Sequence, residues 1–227
     1  MEPNYRIVRS KKRKKTISLH VNEDGTVVVY APGRTPIAEI DRFCREKKTW
    51  LWKKIRETRE RHRETRTRKF AEGETFFFLG EPHPLKINAT AAGSESLVLL
   101  SGQFVLTDDK ISKGRDVFVE WYKTRAQEYI QRRVDHFSQI LGLCPRGIRI
   151  SNARCRWGSC SQDDRLYFSW RLIMATPSII DYVVVHELAH MKEKNHSRCF
   201  WKLVAKNVPD YMRQRIWLRD YGQALDI

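Results

Sequence analysis

The segment from Thr176 to His190 reads TPSIIDYVVVHELAH, and it decides the fold of the C-terminal half of the chain. Threonine is a favoured N-cap residue and proline is favoured at the first helical position, so Thr176 and Pro177 predict the start of a helix. The residues that follow are almost all apolar, and the helix is predicted to continue to about Lys194. A helix of this composition is expected to be buried among other elements.

His186, Glu187 and His190 form an HExxH pattern on this predicted helix. Residues four apart lie one turn apart on the same face, so the imidazoles of His186 and His190 can bind one Zn²⁺. Glu187 lies beside such a metal, where it can take a proton from a zinc-bound water and pass it to a leaving group. Two histidines and a glutamate on a buried helix each need a partner, which favours a metal site over histidines that hydrogen-bond within the core.

A catalytic zinc usually has three protein ligands, so a third is expected here. His196 follows His190 by six residues, a spacing that lets the helix end and the chain turn back under the metal. Asn195 tolerates the left-handed conformation that closes a helix, and Ser197 can cap the next one. His196 is therefore predicted to be the third ligand, and the alternative interpretation is an exposed loop histidine.

Three carboxylates are weaker alternatives for the third ligand: Glu193, Asp210 and Asp220. A straight helix would carry Glu193 past the metal instead of around it. No glutamate follows Glu193 in the sequence, which excludes a glutamate ligand from a downstream helix.

The remaining pattern predicts an α+β protein with a β-rich N-terminal part, followed by a helical C-terminal domain with a short antiparallel sheet. The N-terminal part, 1–112, is basic and contains one long helix from Ile37 to about Lys69. The C-terminal domain, 113–227, begins with a helix from Lys113 to Leu141. Strands are predicted from alternating apolar residues at 5–9, 16–21, 26–30, 75–79, 85–88, 97–100, 104–107, 148–151 and 165–173.

Composition excludes several classes of protein. The chain has 227 residues, of which 41% are hydrophobic and 11% aromatic, enough to bury a core and to exclude a fully disordered chain. No stretch approaches the roughly 20 apolar residues that span a bilayer. The basic start lacks an apolar run, which excludes a classical secretory signal, and the five scattered cysteines are predicted to be reduced. A cytoplasmic location is therefore expected.

The net charge of +16 is unevenly distributed. Residues 1–72 hold 21 basic and 10 acidic groups, which suggests an anionic partner such as nucleic acid or a nucleotide. The basic runs are Lys11–Lys15 and Arg56–Lys69. A solvated charged surface is the alternative interpretation of both runs.

The C-terminal motifs resemble the YgjP-like zinc metallopeptidase family, which is related to the SprT-like peptidases and more broadly to zincins. The similar segments are Arg156–Ser161, Trp170–Ile173, Asp181–His190, Asn195–Ser197 and Phe200-Trp201, within about 145–212, together with a less specific likeness near Trp50–Trp52. The resemblance implies a zincin-like domain with zinc on His186, His190 and His196 and with Glu187 as the base. It also implies a strand at the cleft edge that pairs with an extended peptide, a role for which Leu166–Leu172 is the candidate.

Together these patterns predict a zinc-dependent hydrolase, and most directly a metallopeptidase that cleaves peptide bonds with a Glu-assisted, zinc-bound water. Two alternatives remain open at this point. One is a zinc hydrolase of an anionic non-peptide substrate such as a nucleoside triphosphate, and the other is a DNA-associated, SprT-like protease.

Overall fold

A computed structural model describes residues 5–10, 13, 16–22, 26–66, 68–89 and 95–227, with 58–66 described by its helical backbone only. The chain divides into two compact units, residues 1–68 and 69–227. The mixture of sheets and long helices confirms the predicted α+β class. None of the helices in the described part is long and apolar enough to cross a membrane.

The first unit is a three-stranded sheet with two helices. The strands β1 (Tyr5–Ser10), β2 (Ser18–Val21) and β3 (Val27–Pro32) lie in the order β1-β3-β2, with β1 parallel and β2 antiparallel to β3. The helices are α1 (Ile37–Glu46) and α2 (Lys48–Arg66). Two small apolar clusters hold this unit together, and their buried members are Val27, Val29, Ala31, Ile40, Cys44, Leu51 and Ile55.

The single long helix predicted for this unit is broken at Lys47, which takes a non-helical conformation between α1 and α2. Along the two helices, Ile40, Leu51 and Ile55 are buried, whereas Ile37 and Trp50 are 59% and 48% exposed.

The second unit begins with a four-stranded sheet that packs on a long helix. The strands β4 (Thr75–Phe78), β5 (Glu81–Asn88), β6 (Leu97–Leu100) and β7 (Gln103–Thr107) lie in the order β4-β5-β7-β6. The helix is α3 (Gly114–Leu141). The rings of Phe76 and Phe104 lie 4.1 and 5.1 Å from the ring of Phe118 on α3, and the Tyr122 hydroxyl donates to the Phe77 carbonyl at 2.7 Å. The boundary predicted near residue 112 therefore falls inside the second unit, because the predicted N-terminal strands from 75 to 107 share one apolar core with α3.

The chain then forms a small sheet from β8 (Gly147–Ser151), β9 (Gly158–Cys160) and β10 (Arg165–Ser169), in the order β8-β10-β9. This sheet is mixed and not wholly antiparallel, because β10 runs parallel to β8 and antiparallel to β9. The strand predicted at 165–173 ends at Ser169, and a buried 3₁₀ helix, Trp170–Met174, follows.

Three helices complete the second unit: α4 (Pro177–Lys192), α5 (Arg198–Asn207) and α6 (Tyr211–Asp220). The α4 helix lies against α3, and the Arg133 guanidinium donates to both carboxylate oxygens of Asp181 at 2.6 and 2.8 Å. Buried apolar residues continue through Val183, Val184 and Val185 to the predicted metal-binding pattern.

The two basic runs lie largely outside what the structure describes. Four of the five residues of Lys11–Lys15 fall outside the described residues, as do most side chains of Arg56–Lys69. The prediction of an anionic partner for these runs therefore remains a prediction.

Candidate metal centre

The α4 helix carries His186, Glu187 and His190, and its start follows from local sequence. Thr176 is the N-cap residue and Pro177 is the first helical residue, as predicted. The Thr176 hydroxyl does not cap the helix, however, and lies 3.1 Å from the Ser178 hydroxyl.

The three predicted histidines converge at the end of α4. One ring nitrogen from each of His186, His190 and His196 lies within 4.8 Å of the other two, a group that could hold a metal ion. The Nε2 atoms of His186 and His196 are 3.1 Å apart. The HExxH spacing brings two of these rings together, but only the fold of the following loop brings in the third.

That loop reaches the site by ending α4 earlier than predicted. The helix ends at Lys192, and Glu193 takes an extended backbone instead of the left-handed turn expected at Asn195. Ser197 caps α5 as predicted, accepting a hydrogen bond from the Phe200 N–H at 3.2 Å. His196 is thereby held directly in front of a new helix.

The carboxylates considered as alternative ligands have other partners. The Glu193 carboxylate accepts from the Ser197 hydroxyl at 3.3 Å. Asp210 accepts from the Gln214 amide at 2.9 Å, and Asp220 pairs with Arg219 at 2.7 Å. Within the described residues, the histidine trio is the group of potential ligands that converges here.

The half-buried His186 and His190 are held in the neutral form that binds metal. Burial lowers the pKa of His186 to about 3, with further lowering from His190 and His196. Burial also lowers the pKa of His190, whose Nδ1 lies 3.1 Å from the Glu193 carbonyl. A carbonyl can only accept, so this contact puts the proton on Nδ1 and leaves Nε2 free for a ligand bond.

The residues present fit a metal ion. Two imidazole nitrogens that face each other at 3.1 Å share at most one proton, whereas a single cation can bind both. Nitrogens bound tetrahedrally to one Zn²⁺ at about 2.0–2.1 Å are roughly 3.3–3.4 Å apart, close to this separation. The buried Nδ1 of His186 has no hydrogen-bond partner in the described part of the chain.

Aromatic side chains back the imidazoles. The Phe200 ring lies 4.9 Å from His186 and 4.6 Å from His190, and the Trp201 ring stacks on His196 at 5.5 Å. The family resemblance includes Phe200-Trp201, but the sequence did not predict that these rings contact the imidazoles. Their rigid faces fix the orientation of the three imidazoles.

Glu187 is 5% exposed and lies beside β9. Burial raises the pKa of its carboxyl group to about 8, against smaller lowering effects from the Arg156 guanidinium and the backbone N–H of Cys160. A Cβ added at Gly158 would lie 2.6 Å from Glu187 Cγ, so only glycine lets β9 come this close. The sequence drew attention to the Arg156–Cys160 loop, but it did not single out Gly158.

The predicted edge strand is not at the edge. The strand β10, which begins the predicted segment Leu166–Leu172, lies between β8 and β9 and is paired on both sides. The edge next to Glu187 is formed instead by β9. The Ser169 N–H donates to the Trp157 carbonyl, and the Ser161 N–H donates to the Arg165 carbonyl. In an antiparallel pair, such bonded residues alternate with residues whose backbone groups point away from the partner strand. Gly158 and Cys160 are therefore the residues of β9 that direct their backbone groups away from β10.

Cysteines do not add to this centre. All five thiols are free, and none belongs to the metal-binding group found among the described residues. Cys160 contributes its backbone N–H to Glu187, while burial raises the pKa of its thiol.

Comparisons with known proteins identify the family of the chain. The model of the YgjP-like family, described as a metallopeptidase domain, matches residues 15–221. A structural comparison finds the crystal structure of the metallopeptidase zymogen of Pyrococcus abyssi abylysin, at 22% identity and a TM-score of 0.35, over 40% of this chain and 94% of that chain. A TM-score this low does not establish a common fold. No curated protein matches the chain.

Proposed function

The chain belongs to the YgjP-like family of metallopeptidase domains, and from this premise we propose that it is a zinc-dependent peptidase that uses Glu187 as its general base. The observation that carries the proposal is the convergence of the His186, His190 and His196 imidazoles beside the buried carboxyl group of Glu187.

Three neutral imidazoles would hold the zinc ion, one each from His186, His190 and His196. Three protein ligands and one open position are typical of a catalytic zinc, and imidazole nitrogens exclude the oxygen-binding ions Mg²⁺ and Ca²⁺. When bound, the ion lowers the pKa of a water towards about 7 and polarises the carbonyl of the bond to be cut.

Glu187 is the residue that would move the proton. It accepts a proton at its carboxylate as water attacks, and it then donates that proton to the nitrogen of the leaving amine. The N–H of Cys160 stabilises the carboxylate form, and the absence of a side chain at Gly158 leaves room for it. Two contacts from β9 thus orient the same carboxyl group.

The edge of β9 supports a peptide as the substrate. Gly158 and Cys160 turn their main-chain groups away from β10. The Cys160 N–H is donated to Glu187, so a peptide would pair with the Gly158 N–H and with the carbonyl groups of these two residues. An extended peptide can add to such an edge through main-chain hydrogen bonds, which bind it with little dependence on its side chains. This assigns to β9 the role that the sequence assigned to Leu166–Leu172.

Metal analysis and a parallel activity screen test the proposal. The purified protein should contain about one zinc per chain and should cleave peptides in a screen that also includes nucleoside triphosphates. Glu187→Gln should keep the zinc and lose turnover by roughly 100-fold or more, as for loss of a general base. Glu120→Gln on the exposed face of α3, with a side chain 72% exposed, is the matched control and should match the wild type.

Two results would contradict the proposal. Peptide cleavage that persists in Glu187→Gln would remove this residue as the base. Hydrolysis of nucleoside triphosphates without peptide cleavage would replace the peptidase by the alternative zinc hydrolase.

A further inference from the structure

A cavity of about 310 Å³ lies beside the metal centre, within the second unit. His186 and Glu187 form one side of it, so a group bound in the cavity lies next to the bond that the site would cut. Ligand sites in proteins range over about 300–1,000 Å³. This cavity is at the lower limit of that range and therefore suits a single side chain or a chain terminus.

The cavity has apolar walls and two arginine side chains in its lining. Trp157, Val183 and Leu218 supply apolar surface, which suits the methylene groups of a side chain. Its charged lining consists of Arg215, Arg219 and the carboxyl group of Glu187. The lining therefore favours a ligand that is apolar along its stem and negative at its end.

The two arginines lie one helical turn apart on α6, but they differ in their partners. Arg219 donates to both carboxylate oxygens of Asp220, at 2.7 and 3.2 Å, so its charge is already compensated. No carboxylate of the described residues forms an ion pair with Arg215. Arg215 is thus the cation of this cavity that is available to a ligand.

Arg215 makes a cation–π contact with Trp201, an interaction that does not use its hydrogen-bond donors. The guanidinium lies 5.0 Å from the centroid of the Trp201 ring, and the same ring stacks on His196 at 5.5 Å and on Tyr211 at 5.2 Å. A guanidinium that packs on an aromatic face keeps its N–H groups in its own plane, where they can bind both oxygens of one carboxylate.

We propose that the Arg215 guanidinium binds a carboxylate of the substrate in this cavity and thereby selects peptides with that group next to the cut bond. The carboxylate belongs either to an Asp or Glu side chain or to the C-terminus of the peptide. This inference rests on the proposed peptidase function and assigns its substrate class.

Matched peptides separate the two sources of the carboxylate. One pair of peptides differs only by Glu or Gln next to the cleaved bond, and a second pair differs only by a free or an amidated C-terminus. The wild-type enzyme should prefer the acidic member of one pair by about 10- to 100-fold in kcat/KM, the range expected for a charge-assisted hydrogen bond. The pair that shows the preference identifies the source.

Arg215→Gln should reduce that ratio to near one, and Arg215→Glu should reverse it towards a peptide with Lys at the same position. Arg213→Gln is the control, since it removes an exposed charge from the same helix at a position outside the cavity lining. It should keep the ratio within about threefold, because an exposed charge away from the bound group is screened by solvent. Thermal melting of each variant verifies that it is folded.

Binding supplies a measurement that does not depend on turnover. Fluorescence anisotropy of the same labelled peptides on zinc-loaded Glu187→Gln protein should show the same preference, and adding Arg215→Gln should remove it. Two results overturn this inference but leave the peptidase proposal intact. One is cleavage that depends on Glu187 but shows no preference for the acidic peptide, and the other is a preference that stays unchanged in Arg215→Gln. If the wild type cleaves no peptide, the peptidase proposal fails, and equal binding of acidic and neutral peptides then overturns the inference as well.

Discussion

The backbone of Gly158 touches the side chain of Glu187. A Cβ at Gly158 would lie 2.6 Å from Cγ and 2.7 Å from Oε1 of Glu187, closer than real Cβ contacts come. The edge strand β9 and the Glu187 carboxyl group on α4 therefore occupy positions that depend on each other, and a single methyl group is enough to separate them.

Gly158→Ala should displace the Glu187 carboxyl group while leaving the three histidines in place. A shift of about 1 Å in a catalytic group costs on the order of 100-fold in rate, so we expect kcat to fall about 10- to 100-fold with one zinc still bound. Steady-state kinetics and metal analysis test this. Gly33→Ala is the control, because nothing lies within 4 Å of a Cβ added there. Equal activity of the two variants would contradict the close contact between Gly158 and Glu187.

Replacing His186 or His190 by Ala should abolish stoichiometric zinc binding, because two imidazoles rarely hold a catalytic zinc. His196→Ala should weaken binding too if the loop histidine is the third ligand. Titration of metal-free protein with a zinc indicator measures each affinity. His136→Ala, which removes an exposed histidine of α3, should bind zinc with the affinity of the wild type. A zinc affinity in His196→Ala equal to that of the wild type would exclude His196 as a ligand.

Removal of the metal should lower the thermal stability of the second unit. A ligand that binds only the folded state stabilises it by about 4 kcal/mol at 1,000 times its Kd. The melting temperature should therefore fall on treatment with a chelator and recover with added Zn²⁺. The His186→Ala protein is the control and should show no response to chelator, whereas a response equal to that of the wild type would indicate a different metal site.

Asp181→Asn should destabilise the packing of α3 on α4. The Arg133–Asp181 pair makes two hydrogen bonds between the helices with both side chains less than a third exposed, so we expect a loss of about 1–2 kcal/mol in the free energy of unfolding. Glu128→Gln removes an exposed pair within α3 and should cost less than about 0.5 kcal/mol. Urea unfolding measures both, and equal losses would contradict a special role for the pair between the helices.

Cys160 should be alkylated more slowly than the exposed cysteines 144, 155 and 199. Burial raises the pKa of the Cys160 thiol, so less of it is in the reactive thiolate form at a given pH. The alkylation rate of Cys160 should therefore still increase at pH values above the ordinary thiol pKa of about 8.5. Mass spectrometry of partly labelled protein measures each site. In unfolded protein the four rates should become similar; a Cys160 that reacts first when folded would contradict the raised pKa.

The sequence was most informative where a local pattern is sufficient. The strands from 75 to 107, the α3 helix and the start of α4 at Pro177 lie where alternation, helical period and capping residues predict them. Local signals failed at Lys47, where two helices replace one, and at Trp170–Met174, where the predicted strand gives way to a 3₁₀ helix. Trp170 and Leu172 continue the alternation of the strand, but all five residues of the segment are buried, including Arg171, so the alternation did not reveal the change.

The sequence by itself determined that His186 and His190 lie on one face of a helix with Glu187 beside them, because a spacing of four residues fixes their relation within one turn. Only the tertiary structure decided what surrounds them. It brings the loop histidine His196 to 3.1 Å from His186 and puts β9 at the edge of its sheet. It also leaves Arg215, which lines the cavity, without a carboxylate partner among the described residues. These relations join residues from separate elements, whose distances depend on packing across the whole second unit and are not encoded in any local period.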